Sequence, residues 1–150
     1  MTFYEILVFI HIISAILGMG PGFIMIYVVT KSSTMTELRH AYFIRNRLHI
    51  FVMVGGTLLL VTGIWMGLLH PYLFSQGWYV VSLILFIIAL GFGPGVLSPR
   101  SKPIKALLKE TEGEEIPDSY FTLSKKLFFY ERMENTIFLI IIVLMVLKPF

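Results

Sequence analysis

The sequence predicts an all-α integral membrane protein, a four-transmembrane-helix bundle built from two repeated helical hairpins. Three observations lead to this fold class: a low charge content, four apolar segments and a motif that occurs twice. Of the 150 residues, 57% are hydrophobic and only 14% are charged, whereas soluble domains carry about 25% charged residues. The mean hydropathy is +0.84. The chain is therefore expected to form a single membrane domain over residues 1–150.

The four apolar segments are the predicted membrane spans, at about 6–29, 48–69, 78–97 and 127–148. A helix needs about 20 apolar residues to cross a hydrocarbon core about 30 Å thick, and the first three segments reach that length. The fourth is strictly apolar only from Ile137 to Leu147. It spans only if its helix begins near Leu127 and carries three charged residues to the headgroup boundary, namely Glu131, Arg132 and Glu134.

The positions of the basic residues predict the orientation. Of the twelve Lys and Arg residues, all but Lys148 lie in or beside two connecting segments, at about 30–47 and 98–126. Basic loops stay on the cytoplasmic side of a membrane. The sequence therefore predicts a multi-pass protein of the cell membrane, with both of these loops cytoplasmic and both termini outside. Aromatic residues around the turn between the second and third spans are typical of a membrane–water interface, here the outer one.

A five-residue pattern, G-x-G-P-G, occurs in the first span and again in the third. Its residues are Gly18, Gly20, Pro21 and Gly22 in one copy, and Gly91, Gly93, Pro94 and Gly95 in the other. Proline breaks a helical hydrogen bond, and small residues allow close helix contacts in lipid. The repeat predicts two hairpins related by a pseudo-two-fold axis along the membrane normal. Two interpretations stay open: kinks that serve packing, or freed carbonyls that line a ligand site.

Ionisable residues inside a span point to function, because burying them in lipid costs free energy. His11 is the clearest case. At helical spacing it shares a face with Ser14, Gly18 and Gly22, which is expected to point into the bundle. A neutral imidazole there can ligate a haem iron, bond a carbonyl group or relay a proton. His49 and His70 are weaker candidates for a second ligand.

A polar cluster is predicted at the cytoplasmic side of the second and fourth spans. Its members are Arg45, Arg47, His49, Arg132 and Glu134. If the repeat holds, His49 and Glu134 are equivalent positions and face each other. The cluster is either an interfacial ion-pair network or a site for an anion or a quinone headgroup.

Residues that bind metals or react covalently are scarce. The absence of cysteine excludes disulfides, thiolate metal sites and iron–sulfur clusters. Histidine spacings typical of zinc or copper sites do not occur, so no metal is predicted beyond the haem iron. The net charge of +3 is explained by the basic loops, and no nucleic-acid partner is predicted.

The stretch from His11 to Gly18 resembles the opening of a loose group of small bacterial membrane proteins. That group includes copper-resistance-D-like proteins, HemJ-like protoporphyrinogen oxidases and predicted four-span integral membrane proteins without an assigned activity. The last of these is nearest in size and in its Gly-rich second span. The resemblance to the HemJ-like proteins implies haem b bound by His11. The Pro-Arg-Leu-Phe stretch of those oxidases is missing, so their activity is not expected.

Three hypotheses of function follow. The first is a haem-b-binding, redox-related membrane protein with His11 as axial ligand. The second is a small-molecule carrier or channel that uses the two G-x-G-P-G kinks. The third is a non-catalytic accessory subunit whose Gly-rich faces contact a larger membrane complex or a second copy. The lipid bilayer is expected as a partner in every case. No enzymatic activity is predicted.

Overall fold

The computed structural model describes the whole chain, Met1–Phe150, as five α-helices without a strand. The helices are α1 (Phe3–Thr30), α2 (Met35–Leu69), α3 (Gly77–Phe92), α4 (Ser98–Glu110) and α5 (Asp118–Leu147). A 3-10 turn, Pro71–Ser75, separates α2 from α3. A π-helical turn, Gly93–Leu97, joins α3 to α4 without a break. The all-helical class predicted from the sequence is confirmed.

Three helical stretches are long and apolar enough to cross a membrane: α1, α2 and the continuous stretch Gly77–Glu110. They contain the first three predicted spans. α5 does not meet the same criterion. The reason lies in the charges of Glu131, Arg132 and Glu134, which interrupt its apolar part.

The helices extend well beyond the predicted spans. α2 has 35 residues and Gly77–Glu110 has 34, so each is about 50 Å long, against a hydrocarbon core of about 30 Å. The segments predicted as loops, about 30–47 and 98–126, are therefore mostly helical. Only residues 31–34 and 111–117 lack helix there.

Burial between helices explains this difference. Where α2 begins, its apolar side chains pack on α4 and on the start of α5 in one buried cluster. Its members are Val29, Met35, Leu38, Ala41, Tyr42, Ile104, Leu108, Tyr120, Leu127 and Phe128. Such short amphipathic segments are stabilised mainly by packing against other elements, so neither their length nor their polarity predicts them well.

Pro99 and Pro103, which follow the third predicted span, do not interrupt the helix. Both residues lie inside α4, and the helix runs on to Glu110. A proline removes one backbone hydrogen bond and crowds the carbonyl four residues earlier. The π-helical turn just before α4 widens the backbone at Pro94, and burial of Ile104 and Leu108 holds the following helix in place.

The two ends of the bundle are distinct. Trp78 N donates to Phe150 O at 2.9 Å, and the Tyr4 ring stacks edge-on against His70 with centroids 4.3 Å apart. Both ends of the chain therefore lie beside the turn between α2 and α3. At the opposite end, Met35 N donates to Glu114 O at 2.9 Å, which joins the two remaining connections. We call the end of the bundle that holds both chain termini the terminal end, and the opposite end the loop end.

The two copies of G-x-G-P-G have different conformations. α1 stays α-helical through Pro21, whereas Pro94 lies in the π-helical turn. Around the second copy, a Cβ at Gly91, Gly93 or Gly95 would meet nothing within 4 Å. The two copies therefore differ in conformation, and the internal repeat stays a prediction.

The first copy is a packing notch between α1 and α2. A Cβ on Gly18 would lie 2.7 Å from Gly56 N and 2.8 Å from Gly55 C, distances that no side chain tolerates. The absence of a side chain at Gly18 and Gly55 allows these two antiparallel helices to touch through their backbones.

Glu114 tests the contact at the loop end between the α1–α2 connection and the α4–α5 connection. Thr36 donates to its carboxylate from Oγ1 at 2.6 Å and from N at 3.3 Å. These hydrogen bonds hold the pKa of Glu114 below its ordinary value of 4.5. Because the pKa is lower in the folded state, ionised Glu114 stabilises the fold at pH values above its ordinary pKa. This stabilisation is lost as the pH falls through the lowered pKa.

We therefore expect Glu114→Gln to lower the Tm slightly at neutral pH. The difference from wild type should shrink as the pH falls below 4.5, the ordinary pKa of this group. The effect is small because the side chain is exposed. Glu112→Gln is the matched control, because Glu112 makes no contact with Thr36. A Tm difference that stays constant with pH would contradict this account.

Candidate functional site

His11 is half-buried at the contact of α1 with α2. Its Nδ1 is 2.8 Å from Thr62 Oγ1, and Thr62 Oγ1 in turn donates to Leu58 O at 2.7 Å. The single hydroxyl hydrogen is used in that second bond, so we infer that Nδ1 carries the proton and donates it to Thr62. Nε2 is then unprotonated and free to accept a proton or to bind a ligand.

Gly63 provides the space that the imidazole occupies. A Cβ at this position would lie 3.3 Å from Cε1 of His11, tighter than most side chains accept. The carbonyl of Gly63 accepts a hydrogen bond of 2.8 Å from Tyr79 Oη. α2 therefore positions the histidine through Thr62 and leaves room for it at Gly63.

A small cavity of about 30 Å³ lies next to the imidazole, where α1, α2, α3 and α5 meet. Its polar lining comes from His11, Tyr79 and Ser82, and the remaining lining is largely apolar. Ser82 is only 1% exposed, and its hydroxyl has no hydrogen-bond partner in the protein. Buried hydroxyls are rarely left unpaired, so this group marks the cavity as a place for a polar ligand.

The other two candidate histidines do not line this cavity. His49 lies on α2 with an exposed side chain, and it forms neither an ion pair nor a hydrogen bond with Glu134. His70 ends α2 and packs edge-on against Tyr4 and Tyr72 at the terminal end. The structure therefore brings no second histidine to His11.

A second polar feature, on α5, involves the predicted charged cluster. Arg45 and Glu131 form a bidentate ion pair, with Nη1 donating to Oε2 at 3.3 Å and Nη2 donating to Oε1. They are 8% and 6% exposed. The Arg45 guanidinium also lies over the ring of Tyr42, 5.7 Å from its centroid.

Two more polar contacts follow the same side of α5. Tyr42 Oη and Tyr120 Oη are 3.2 Å apart, and Asn135 Nδ2 donates to Gly22 O at 3.1 Å. We call the three contacts of α5, made by Tyr120, Glu131 and Asn135, the polar seam. It fixes α5 to α1 and α2.

The other members of the predicted cluster lie apart from the seam. Arg47 is exposed and lies over the Phe43 ring, 5.2 Å from its centroid. Arg132 is exposed, and Glu134 is half-buried without a hydrogen bond. Of the five predicted residues, only Arg45 takes part, and its partner Glu131 was not among them.

No group of three or more His, Cys, Asp or Glu side chains lies together as a metal site would need. Nor does the His11 cavity have the size of a cofactor pocket. Pockets for drug-sized ligands measure about 300–1,000 Å³, some ten times the cavity found here.

The fold and these buried polar groups define an all-helical integral membrane protein. Residues 5–149 match the model of a protein family described as predicted integral membrane protein (DUF2269). The chain belongs to this family. The match confirms the resemblance to small predicted integral membrane proteins, and similarity to copper-resistance-D-like or HemJ-like proteins is not shown. No curated protein and no solved structure matches the chain.

Proposed function

We propose that the protein crosses the membrane four times, with its terminal end outside and its loop end in the cytoplasm. All basic residues except Lys148 lie towards the loop end, as the positive-inside rule requires of a cytoplasmic side. The composition of α5 supports a membrane span less than that of the other helices, because its apolar part is short. The buried Arg45 neutralises Glu131, which lowers the cost of taking that carboxylate towards the lipid.

We propose further that His11 is the functional centre and that it binds a proton or a small polar molecule inside the membrane. One observation carries this proposal: Nδ1 of the imidazole is hydrogen-bonded to Thr62, and the ring lines a cavity that the unpartnered Ser82 hydroxyl also lines. Histidine is the side chain whose charge changes near neutral pH. No acidic side chain forms an ion pair with the ring.

The experiment is ¹⁵N NMR of histidine-labelled protein in lipid bilayers. His11→Gln identifies the His11 signals by their loss, and the other three histidines are internal references. At about pH 8 the ring should carry its proton on Nδ1, and acidification to about pH 4 should add a proton at Nε2. A ring protonated on Nε2 alone at the higher pH, or one that never titrates, would contradict the proposal.

Thr62 is the residue whose removal tests the positioning of the ring. Thr62→Val keeps the shape but leaves the half-buried Nδ1–H of His11 without this acceptor, which costs about 1 kcal/mol. We expect a lower Tm and a mixture of His11 tautomers in the NMR spectrum. Thr57→Val is the matched control, because the Thr57 hydroxyl bonds only Met53 O on its own helix, 2.8 Å away. Equal effects of the two substitutions would count against the assigned hydrogen bond.

Haem b with His11 as axial ligand is a second proposal. In its favour, ligating histidines usually donate their other ring N–H to a second group, as His11 does to Thr62. Against it stands the small cavity. The absorption spectrum of protein purified from haem-replete cells separates the proposals, because only bound haem gives a Soret band. A Soret band would support the haem proposal, and its absence both before and after haem addition would contradict it.

The carrier and accessory hypotheses receive less support from the geometry. A carrier working through the kinks needs a polar cavity at Pro21 and Pro94, and α1 is instead packed backbone to backbone on α2 at Gly18. For an accessory subunit or a homodimer, the open glycines of the second G-x-G-P-G copy offer a small-residue face. Both hypotheses stay predictions.

A further inference from the structure

We propose that the cavity beside His11 is a hydration site, in which a bound water molecule joins Ser82 Oγ to Nε2 of His11. The inference rests on the proposed His11 site and names the small molecule that occupies it. The inference rests on one observation. The buried Ser82 hydroxyl has no hydrogen-bond partner in the protein, and the same hydroxyl lines the cavity.

The size and lining of the cavity favour water. A cavity needs a volume of about 10–15 Å³ accessible to the centre of a water molecule in order to hold one water. A bound water usually has two to four polar partners. The cavity measures about 30 Å³, which is enough for one or two. Ser82 Oγ, Tyr79 Oη and His11 Nε2 supply the polar partners, whereas a purely apolar cavity of this size stays dry.

The location of the cavity indicates where the water comes from. Tyr79 and Ser82 lie in the first two turns of α3, which begins at Gly77. Ser82 is therefore only about 8 Å along the helix from its first residue. On the terminal side, Tyr79 packs against Phe74 of the connecting turn, with ring centroids 5.3 Å apart. The cavity therefore lies nearer to the terminal end, so water entering from that end has the shorter path to His11.

Ser14 provides a matched control within the same bundle. Both serines are 1% exposed and both lie in apolar helices. Ser14 Oγ bonds Ile10 O of its own helix at 2.6 Å, whereas Ser82 Oγ has no protein partner. Removal of a hydroxyl bonded within its own helix changes stability little. Removal of a hydroxyl that binds the water destroys the site.

The test compares Ser82→Ala with Ser14→Ala by thermal unfolding in detergent micelles. If water occupies the cavity, Ser82→Ala lowers the Tm by about 2–4 °C more than Ser14→Ala. If the cavity is dry, the hydroxyl is an unpaired group whose removal raises the Tm. A rise in Tm, or equal effects of the two substitutions, would overturn the proposal.

A second readout separates this inference from the proposed function. In bilayers, magnetisation transfer from water to the ¹⁵N-labelled His11 ring should be strong in wild type and much weaker in Ser82→Ala. If His11 titrates but receives no transfer in wild type, the hydration site is wrong and the proton-binding proposal stands. If transfer occurs and His11 never titrates, the hydration site stands and the proposal that His11 binds a proton is wrong.

Discussion

Glu131→Gln is expected to lower the free energy of unfolding by about 3–5 kcal/mol, because it leaves the buried Arg45 charge without a counter-ion. The pair is bidentate and nearly inaccessible, so solvent does not screen the loss. Reversible unfolding in mixed micelles measures the effect. Glu134→Gln is the matched control, since Glu134 lies three residues along the same helix and makes no ion pair.

Replacing both members of the pair separates charge from packing. The double variant Arg45→Met with Glu131→Leu removes both charges and keeps similar volumes, which is often neutral or stabilising for a buried pair. We expect it to recover most of the stability that Glu131→Gln loses. If Glu131→Gln behaves like Glu134→Gln, Arg45 is not confined in a low-dielectric site and the account of the seam is wrong.

Gly18→Ala is expected to destabilise the protein by about 1–3 kcal/mol, because the added methyl group forces two helix backbones apart. The atoms that the methyl would meet belong to the main chain of Gly55 and Gly56, and a main chain cannot move aside as the end of a flexible side chain can. The same unfolding measurement, or the yield of folded protein in membranes, reports the loss.

Gly20→Ala is the matched control for this variant. It makes the same change in the same helix, where a Cβ would meet nothing within 4 Å. Alanine also favours a helix over glycine by about 1 kcal/mol, so Gly20→Ala should be neutral or stabilising. Comparable losses for Gly18→Ala and Gly20→Ala would show that the α1–α2 contact is not as close as described.

The sequence predicts the helical class, the first three spans and the burial of His11 for sound physical reasons. A long apolar segment can satisfy its backbone in lipid only as a helix. His11 is conspicuous because an ionisable group among apolar residues carries a cost. Such signals reside within a single segment, so one sequence is enough to find them.

The partners of these groups could not be predicted, because they depend on how separate helices face each other. Thr62 and Gly63 in α2 and Ser82 in α3 are ordinary residues of apolar helices, and only the packing brings them to His11. Whether Arg45 pairs with Glu131 or His49 pairs with Glu134 also depends on how separate helices face each other. The repeat suggested the second pair, whereas the helix faces in contact give the first.

The packing notch shows the same limit in another form. Gly63 and Gly67 have the G-x-x-x-G spacing of a helix contact, yet their neighbours are side chains: His11 at Gly63, and Tyr79 with Phe74 at Gly67. The backbone contact uses Gly55 and Gly56 instead. Small-residue spacing indicates that a close neighbour is allowed, and the fold decides which neighbour it is.

The four-span topology underlies the whole account, and labelling of single cysteines tests it most directly. The natural chain has no cysteine, so each introduced thiol is the sole target of a membrane-impermeant maleimide. We expect Thr2→Cys, Ser75→Cys and Pro149→Cys to react in intact cells or right-side-out vesicles. Ser32→Cys and Glu112→Cys should react only after permeabilisation. Labelling of position 149 from the same side as position 112 would mean that α5 does not cross the membrane, and would contradict the account.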